Sequence, residues 1–244
     1  MSFLLLASRE AILIDAGTGV ARLLEPQIFA LLKPYDCLHI ILSHYHLDHV
    51  IGLSYLPGVW TRGAVRIYAP THPLVEAGPD EAFGKLFSPP LLPMRLADFP
   101  VQVEVVQAAS QNLTIGDLPF RLRAQRHPGG SVGIRVADVL AYVTDTVVDG
   151  ASAEFVQGVR LLLHEVWLTD SEAQTDEVER SRHSYSSGVA RIAKQAAVHE
   201  VMPVHFHPKR SRADICSLAD EIQALSGAEV TIPQEGQLYQ LEPL

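Results

Sequence analysis

The stretch Ile40-Ile41-Leu42-Ser43-His44-Tyr45-His46-Leu47-Asp48-His49 decides how the rest of the chain is read. Its aliphatic opening reads as a buried strand, and that strand runs straight into a turn carrying four metal-ligating side chains within six positions. A loop at a strand end can aim alternate side chains the same way. His44 and His46 can then share one cation while Asp48 and His49 reach another, and imidazole nitrogen and carboxylate oxygen bind zinc at about 2.0 to 2.2 Å. The plainer alternative is a polar surface loop that happens to be rich in histidine; the density of ligands argues against it.

Working outward, short apolar runs bounded by turn residues dominate the first part of the chain. Phe3 to Leu6, Ala11 to Ile14, Leu38 to Leu42 and Val65 to Ala69 read as strands. Val20 to Leu32 has apolar residues spaced for one helix face and stops before Pro34, which predicts a helix. From Pro70 to Pro100 the chain is proline-rich and loop-like, with a short helix expected near Asp80 to Phe87. A second strand series follows at Val101 to Val106, Phe120 to Ala124, Val132 to Val136, Val139 to Val143, Leu161 to His164 and Val201 to Val204. Ser184 to Val198 and Ser211 to Leu225 read as helices, each opened by a serine able to cap the first turn. Strands in two series, each followed by helices, predict an α/β (α+β) protein with two sheets packed face to face and helices outside. There is no internal repeat and no low-complexity tract.

The 244 residues carry 19 Lys plus Arg against 28 Asp plus Glu, a formal charge of −9. That is the wrong sign for a protein that grips many phosphates by counterion release, so the charge argues against long nucleic acid as partner. Bound divalent cations would reverse the field locally. Cys37 and Cys216 stand far apart, without the spacing of a disulfide framework or a thiolate zinc site, and read as reduced structural thiols. The opening Met-Ser-Phe-Leu-Leu-Leu-Ala lacks a basic lead-in and reads as a strand. No run reaches the roughly 18 apolar residues of a membrane span. A cytoplasmic protein that does not enter membranes is the expectation.

Further along the chain lie Leu13-Ile14-Asp15-Ala16-Gly17, His127 before Pro128-Gly129-Gly130, Tyr142-Val143-Thr144-Asp145-Thr146, and Val204-His205-Phe206-His207. A lone histidine is more often a surface or satisfied core residue, and an Asp after a strand is more often a turn former. Their order, following H-x-H-x-D-H on a hydrophobic strand, resembles the metallo-β-lactamase superfamily. That resemblance implies a four-layer αββα sandwich covering residues 1–244 as a single hydrolase domain. It further implies that His44, His46 and His127 hold one divalent metal ion, that Asp48, His49 and His205 hold a second, and that Asp145 lies between them with a bridging hydroxide as nucleophile. Asp15 would support the metal loop from behind. Zinc is the default for such ligands, with manganese and iron also suited to them. His207 competes with His205, its other role being to face substrate.

Three features resemble the ribonuclease Z branch: Asp15-Ala16-Gly17-Thr18-Gly19 running into a helix start, Leu163-His164-Glu165 ending a strand, and Arg182-His183-Ser184 before a helix and the last ligand. The branch places such a histidine near the metal site with the Asp of the first motif, which implies catalytic roles for Asp48 and His183 and a supporting one for Glu165. An imidazole titrates near neutrality, so His183 could protonate a leaving alkoxide; a polar residue at a helix start is its plainer role. The tRNA-processing members carry a long arm between the ligands matching His127 and Asp145, whereas here 17 residues separate the two, room for one hairpin. The ending His207-Pro208-Lys209-Arg210 also lacks that branch's tyrosine.

A phosphodiesterase acting on a small or cyclic phosphodiester is therefore the leading expectation. A thioester- or lactone-type metallohydrolase, ribonuclease Z-like RNA processing, and a non-hydrolytic metal-binding protein are the alternatives, because function sits in the pocket rather than the fold. The apolar stretch Phe87-Ser88-Pro89-Pro90-Leu91-Leu92-Pro93 reads as a packed surface loop, or as a lid or homodimer contact.

Overall fold

The computed structural model describes residues 1–7 and 9–241. The chain divides into two compact units, Met1–Asp117 and Leu118–Leu244. The first contains strands β1 (Phe3–Leu6), β2 (Ala11–Ile14), β3 (Cys37–Ile41), β4 (Ala64–Pro70), β5 (Gln102–Ala108) and β6 (Asn112–Ile115), with helices α1 (Pro26–Leu32), α2 (Leu47–Val50), α3 (Leu56–Val59) and α4 (Pro79–Leu86). Its five-stranded sheet has the order β1-β2-β3-β4-β5, with β1 antiparallel to β2 and the rest parallel. Ala11–Ile14 is buried throughout, as expected of a parallel strand covered on both faces. Leu13, Leu38, Ile40, Leu53, Trp60 and Ile67 belong to its apolar core. The register pairs Ile14 with Ile41, so the chain leaves β2 at Asp15 beside the point where it leaves β3 at Leu42 and Ser43.

The second unit contains β7 (Leu118–Gln125), β8 (Ser131–Val136), β9 (Leu140–Val143), β10 (Leu161–Glu165), β11 (Glu200–Val204) and β12 (Glu229–Val230), with α5 (Gly150–Phe155), α6 (Asp170–Thr175), α7 (Glu177–Arg180), α8 (Ser186–Gln195) and α9 (Arg212–Ser226). Its strands follow the order β12-β11-β10-β9-β8-β7. β7, β8 and β9 are antiparallel neighbours, while β9, β10, β11 and β12 run parallel. The registers His164 opposite Val143 and Glu165 opposite Val204 bring the carboxyl ends of β9, β10 and β11 to one edge. Open α/β sheets bind their ligands beyond such ends. The apolar core here is built from Val143, Leu162, Val189, Ile192, Val201 and Ile222.

Two sheets and their helices make a mixed α/β protein, as the strand pattern predicts. Individual elements differ from the pattern. The helix expected over Val20 to Leu32 is a 3₁₀ turn over Thr18–Leu24, a break, and then α1; Glu25, preceding Pro26, is extended at φ −61 and ψ 133 because a residue before proline is pushed out of the helical region. Ser184 caps no helix. Its hydroxyl donates to the carbonyl of Thr146, and α8 starts two residues later from Tyr185, which makes no side-chain cap. Ser211 does cap α9, in a reciprocal box with Asp214. The proline-rich loop is packed at Phe87, between Phe83 and Phe99, and exposed at Leu91.

Candidate metal centre

In the first unit the site is organised around one carboxylate. Asp15 is fully buried, and it accepts from the Ser43 amide at 2.7 Å, the Ser43 hydroxyl at 2.7 Å and His49 Nδ1 at 2.7 Å. The Ser43 hydroxyl, its proton committed to Asp15, accepts in turn from His44 Nδ1 at 3.0 Å. Both histidines thus carry their proton on Nδ1, which places the lone pair on Nε2, the arrangement a ligating imidazole needs. Burial alone would push the Asp15 carboxyl up, but His49, His44 and the Ser43 amide outweigh it and hold it below the usual range. The His44 ring stands 4.6 Å from that of His46 and 4.4 Å from that of His49, and Asp48 Oδ2 lies 3.1 Å from His49 Nε2. Asp15 adopts φ 56, a left-handed conformation that costs a residue other than glycine roughly 1 to 3 kcal/mol and persists where surrounding contacts dictate it.

The second unit repeats this logic with different parts. Asp145 and His205, each just past a strand end, both adopt φ 49. Thr144 Oγ1 donates to the Asp145 carboxylate at 2.8 Å, and Ser131 Oγ donates to its carbonyl at 2.7 Å. Asp145 Oδ1 lies 3.3 Å from His127 Nε2, and Oδ2 lies 3.6 Å from His205 Nε2. His127 Nδ1 donates to the carbonyl of Arg182 at 3.1 Å, so its lone pair too lies on Nε2. Glu165, fully buried at the end of β10, is the central carboxylate of this unit. Its Oε1 accepts from the amides of Thr146 and Ser184 at 2.9 and 3.0 Å, while Oε2 receives His183 Nδ1 at 2.9 Å and stands 3.3 Å from His205 Nδ1. Burial pushes Glu165 up, yet His183 and His205 prevail and hold it ionised.

The residues anticipated from sequence, His207 excepted, fall into these two sets. His44, His46, Asp48, His49 and Asp15 lie in the first; His127, Asp145, His205, Glu165 and His183 lie in the second. His207 stands apart from Glu165: its Nδ1 accepts from the Lys209 amide at 3.1 Å, and its ring meets Trp167 edge-on at 4.9 Å. In the second unit Asp145, Glu165, His183 and His205 each offer a ligand atom, all within 4.8 Å of one another. Carboxylates and imidazoles with their Nδ1 protons already engaged fit a divalent cation of the zinc type.

Two contributors escaped the sequence pattern. Trp167 stacks on His183 with ring centroids 4.4 Å apart, and Arg210 donates to the Trp167 carbonyl at 2.9 Å. No periodicity marks them; the one signal was an aromatic residue two positions beyond Glu165. His164, by contrast, is a core residue. It is fully buried, its Nδ1 bonds the carbonyl of Glu165 at 2.8 Å, and burial lowers its pKa.

A family profile described as a beta-lactamase superfamily domain matches residues 10–206. The chain belongs to that superfamily. An uncharacterised protein of Mycobacterium tuberculosis is 30% identical over 227 residues, covering 85% of this chain and 74% of its own length. A ribonuclease Z of Nocardia farcinica is 27% identical over 260 residues, covering 87% of this chain and 83% of its own. Among solved structures, the metallo-β-lactamase fold protein YhfI of Bacillus subtilis superposes with a TM-score of 0.73 at 21% identity, over 97% of this chain and 89% of that one. The metallo-β-lactamase fold is therefore the fold of this superfamily member.

Proposed function

We propose that this metallo-β-lactamase-fold hydrolase is a phosphodiesterase acting on a small phosphodiester, working as a single domain over residues 1–244. In this reading His44, His46, Asp48, His49, His127, Asp145 and His205 hold two divalent cations, zinc by the nature of the donors. When bound, such a pair supplies an activated water and positive charge for the attacking and leaving oxygens.

The observation that carries the proposal is the Glu165–His183 pair. Glu165 Oε2 accepts from His183 Nδ1 at 2.9 Å, which fixes the ring and leaves Nε2 as the nitrogen to pass a proton to a leaving group. An acid so oriented suits an alkoxide leaving group, the feature separating phosphodiester hydrolysis from a thiolate departure. Two arginines add support. Arg126 and Arg180, with Tyr185, Val147, Val148 and Glu177, line a crevice of about 300 Å³ in the second unit; Arg126 is the residue before His127, and Arg180 lies three residues before His183. Guanidinium groups there suit an anionic substrate. A single hairpin, β8 to β9, fills the interval between His127 and Asp145, and the net charge is −9, so a small substrate fits better than tRNA. Among the described residues no helix is long and apolar enough to cross a membrane, and the proposed setting is the cytoplasm.

The test is a hydrolysis screen of metal-loaded protein with bis-p-nitrophenyl phosphate, cyclic nucleotides, a pre-tRNA, a thioester and a β-lactam. Activity on the first two is expected, and His183→Ala should lower it by about 10²- to 10⁴-fold. Activity confined to the thioester and the β-lactam would overturn the proposal.

A further inference from the structure

The indole of Trp167 lies beneath the histidines of the second unit, in a geometry more specific than core packing requires. Its ring is 4.4 Å from that of His183 at an interplanar angle of 16°, and 5.2 Å from that of His205 at 26°. The two imidazoles are themselves 6.0 Å apart at 29°. Rings on opposite faces of an indole would be separated by far more, so both lie on one face, side by side. Glu165 Oε2 meets the Nδ1 edges of the same two rings, at 2.9 and 3.3 Å. One group therefore fixes the faces and another the edges. Together they remove the freedom to rotate about χ2 that a histidine otherwise keeps.

The platform is itself tied down. Its Nε1–H donates to Glu179 Oε2 at 2.9 Å, its amide donates to the Ser184 carbonyl at 3.1 Å, and its carbonyl accepts from Arg210 Nη2 at 2.9 Å. Arg210 in turn pairs with both carboxylate oxygens of Glu172. The Trp167 and His183 backbones are thereby linked through Ser184, so indole and imidazole are held in mutual register.

We propose that Trp167 is a positioning residue whose indole face sets the ring orientations of His183 and His205. The assignment of turnover to these histidines rests on the phosphodiesterase reading; the stack itself does not. Aromatic stacking adds specificity beyond buried area, and a displacement of a reacting group by about 1 Å can cost a hundredfold in rate.

The experiment pairs kinetics with a spectroscopic readout in metal-free protein. Trp167→Ala should lower kcat on bis-p-nitrophenyl phosphate by about 10- to 100-fold while KM stays within about threefold, because substrate contacts remain and ring orientation is lost. Trp167→Phe restores a flat face and should recover kcat to within about fivefold of the parent, which a purely volumetric role for indole would not allow. Separately, the emission of Trp167 is obtained as the difference between the parent and Trp167→Phe. In a His183→Ala background, compared with its own Trp167→Phe partner, that emission should rise as the stacked imidazole is removed. An unchanged kcat in Trp167→Ala, a Trp167→Phe chain as slow as Trp167→Ala, or an emission indifferent to His183 would each overturn the proposal. A parent chain inert towards every phosphodiester would sink the phosphodiesterase reading alone, with the emission comparison still deciding the stack.

Discussion

The two candidate ligand sets, one in each unit, are assembled by opposite routes. In the first unit four ligand-type side chains occupy six consecutive positions, and a single buried carboxylate, Asp15, organises them from the next strand. In the second, His127, Asp145, Glu165, His183 and His205 come from separate segments, gathered because three parallel strands end at one edge. The first half is local in sequence and compactly supported. The second is long-range, and its supports are themselves polar: Thr144 and Ser131 on Asp145, Glu165 on two histidines, Arg210 on Trp167. Both halves place their pivotal residues at positive φ just after a strand, Asp15 in one and Asp145 and His205 in the other. Strain of that kind is expected where surrounding contacts hold a functional geometry in place.

The largest expected effect breaks the second half. Asp145→Asn removes charge from a carboxylate 3.3 Å from His127 Nε2 and 3.6 Å from His205 Nε2. Turnover should drop by more than the roughly 10- to 100-fold that loss of an outer partner costs, and bound metal, read by mass spectrometry, should drop with it. His44→Ala should match it from the first half. An Asp145→Asn chain that kept its metal and its rate while His44→Ala lost both would confine the chemistry to the first unit.

A smaller effect tests the organising carboxylate. Asp15→Asn keeps the shape but cannot accept from Ser43 and His49 as the carboxylate does. Turnover should fall by about 10- to 100-fold, and stability by about 1 to 3 kcal/mol as buried donors lose their acceptor. Urea unfolding measures the second quantity. Glu165→Gln is the corresponding change in the other half, and a stability loss restricted to one of the pair would show that the two carboxylates are not equivalent supports.

The same contrast explains what could be read in advance. Ala11–Ile14, with its wholly apolar composition, matched its strand to the residue, and the His44 to His49 run stood out as a candidate metal loop because its information is local. His127, Asp145 and His205 had meaning only as an ordered series after that run, since nothing within a few residues of any of them distinguishes it from a turn former. Trp167 escaped altogether. Its role depends on partners 16 and 38 positions away, His183 and His205, and contacts at that separation leave no period in the sequence. The break at Glu25 was legible in principle, because Pro26 restricts the residue before it, but the apolar spacing of Val20 to Leu32 runs across it unchanged. Ser184 illustrates the reverse error: a residue suited to capping was drawn instead to the Thr146 carbonyl, a partner 38 positions away.

The smallest expected effect sharpens the comparison through acid. Glu172 is pulled down to a pKa of about 2, chiefly by its hydrogen bond to Arg210, against modest burial and with help from Thr169. Its ordinary value is 4.5, so the folded value is the depressed one. The pair then contributes stability above about pH 4.5 and loses it progressively as pH falls towards 2. Because the Glu172 side chain is 42% exposed, the contribution is small, on the order of 0.5 to 1 kcal/mol. Glu172→Gln should therefore lower stability by that amount at neutral pH, and the gap to the parent should close between about pH 4.5 and 2. The chain's two tryptophans fall one to each unit, Trp60 in the first and Trp167 in the second. Urea titrations of Trp60→Phe and Trp167→Phe chains thus follow the units separately. A gap reported by Trp167 and absent from Trp60 would mean that the polar, long-range half carries its own acid sensitivity. The same gap at both tryptophans would mean that the units unfold together, and a gap that persisted at pH 2 would remove the Glu172 charge as its cause.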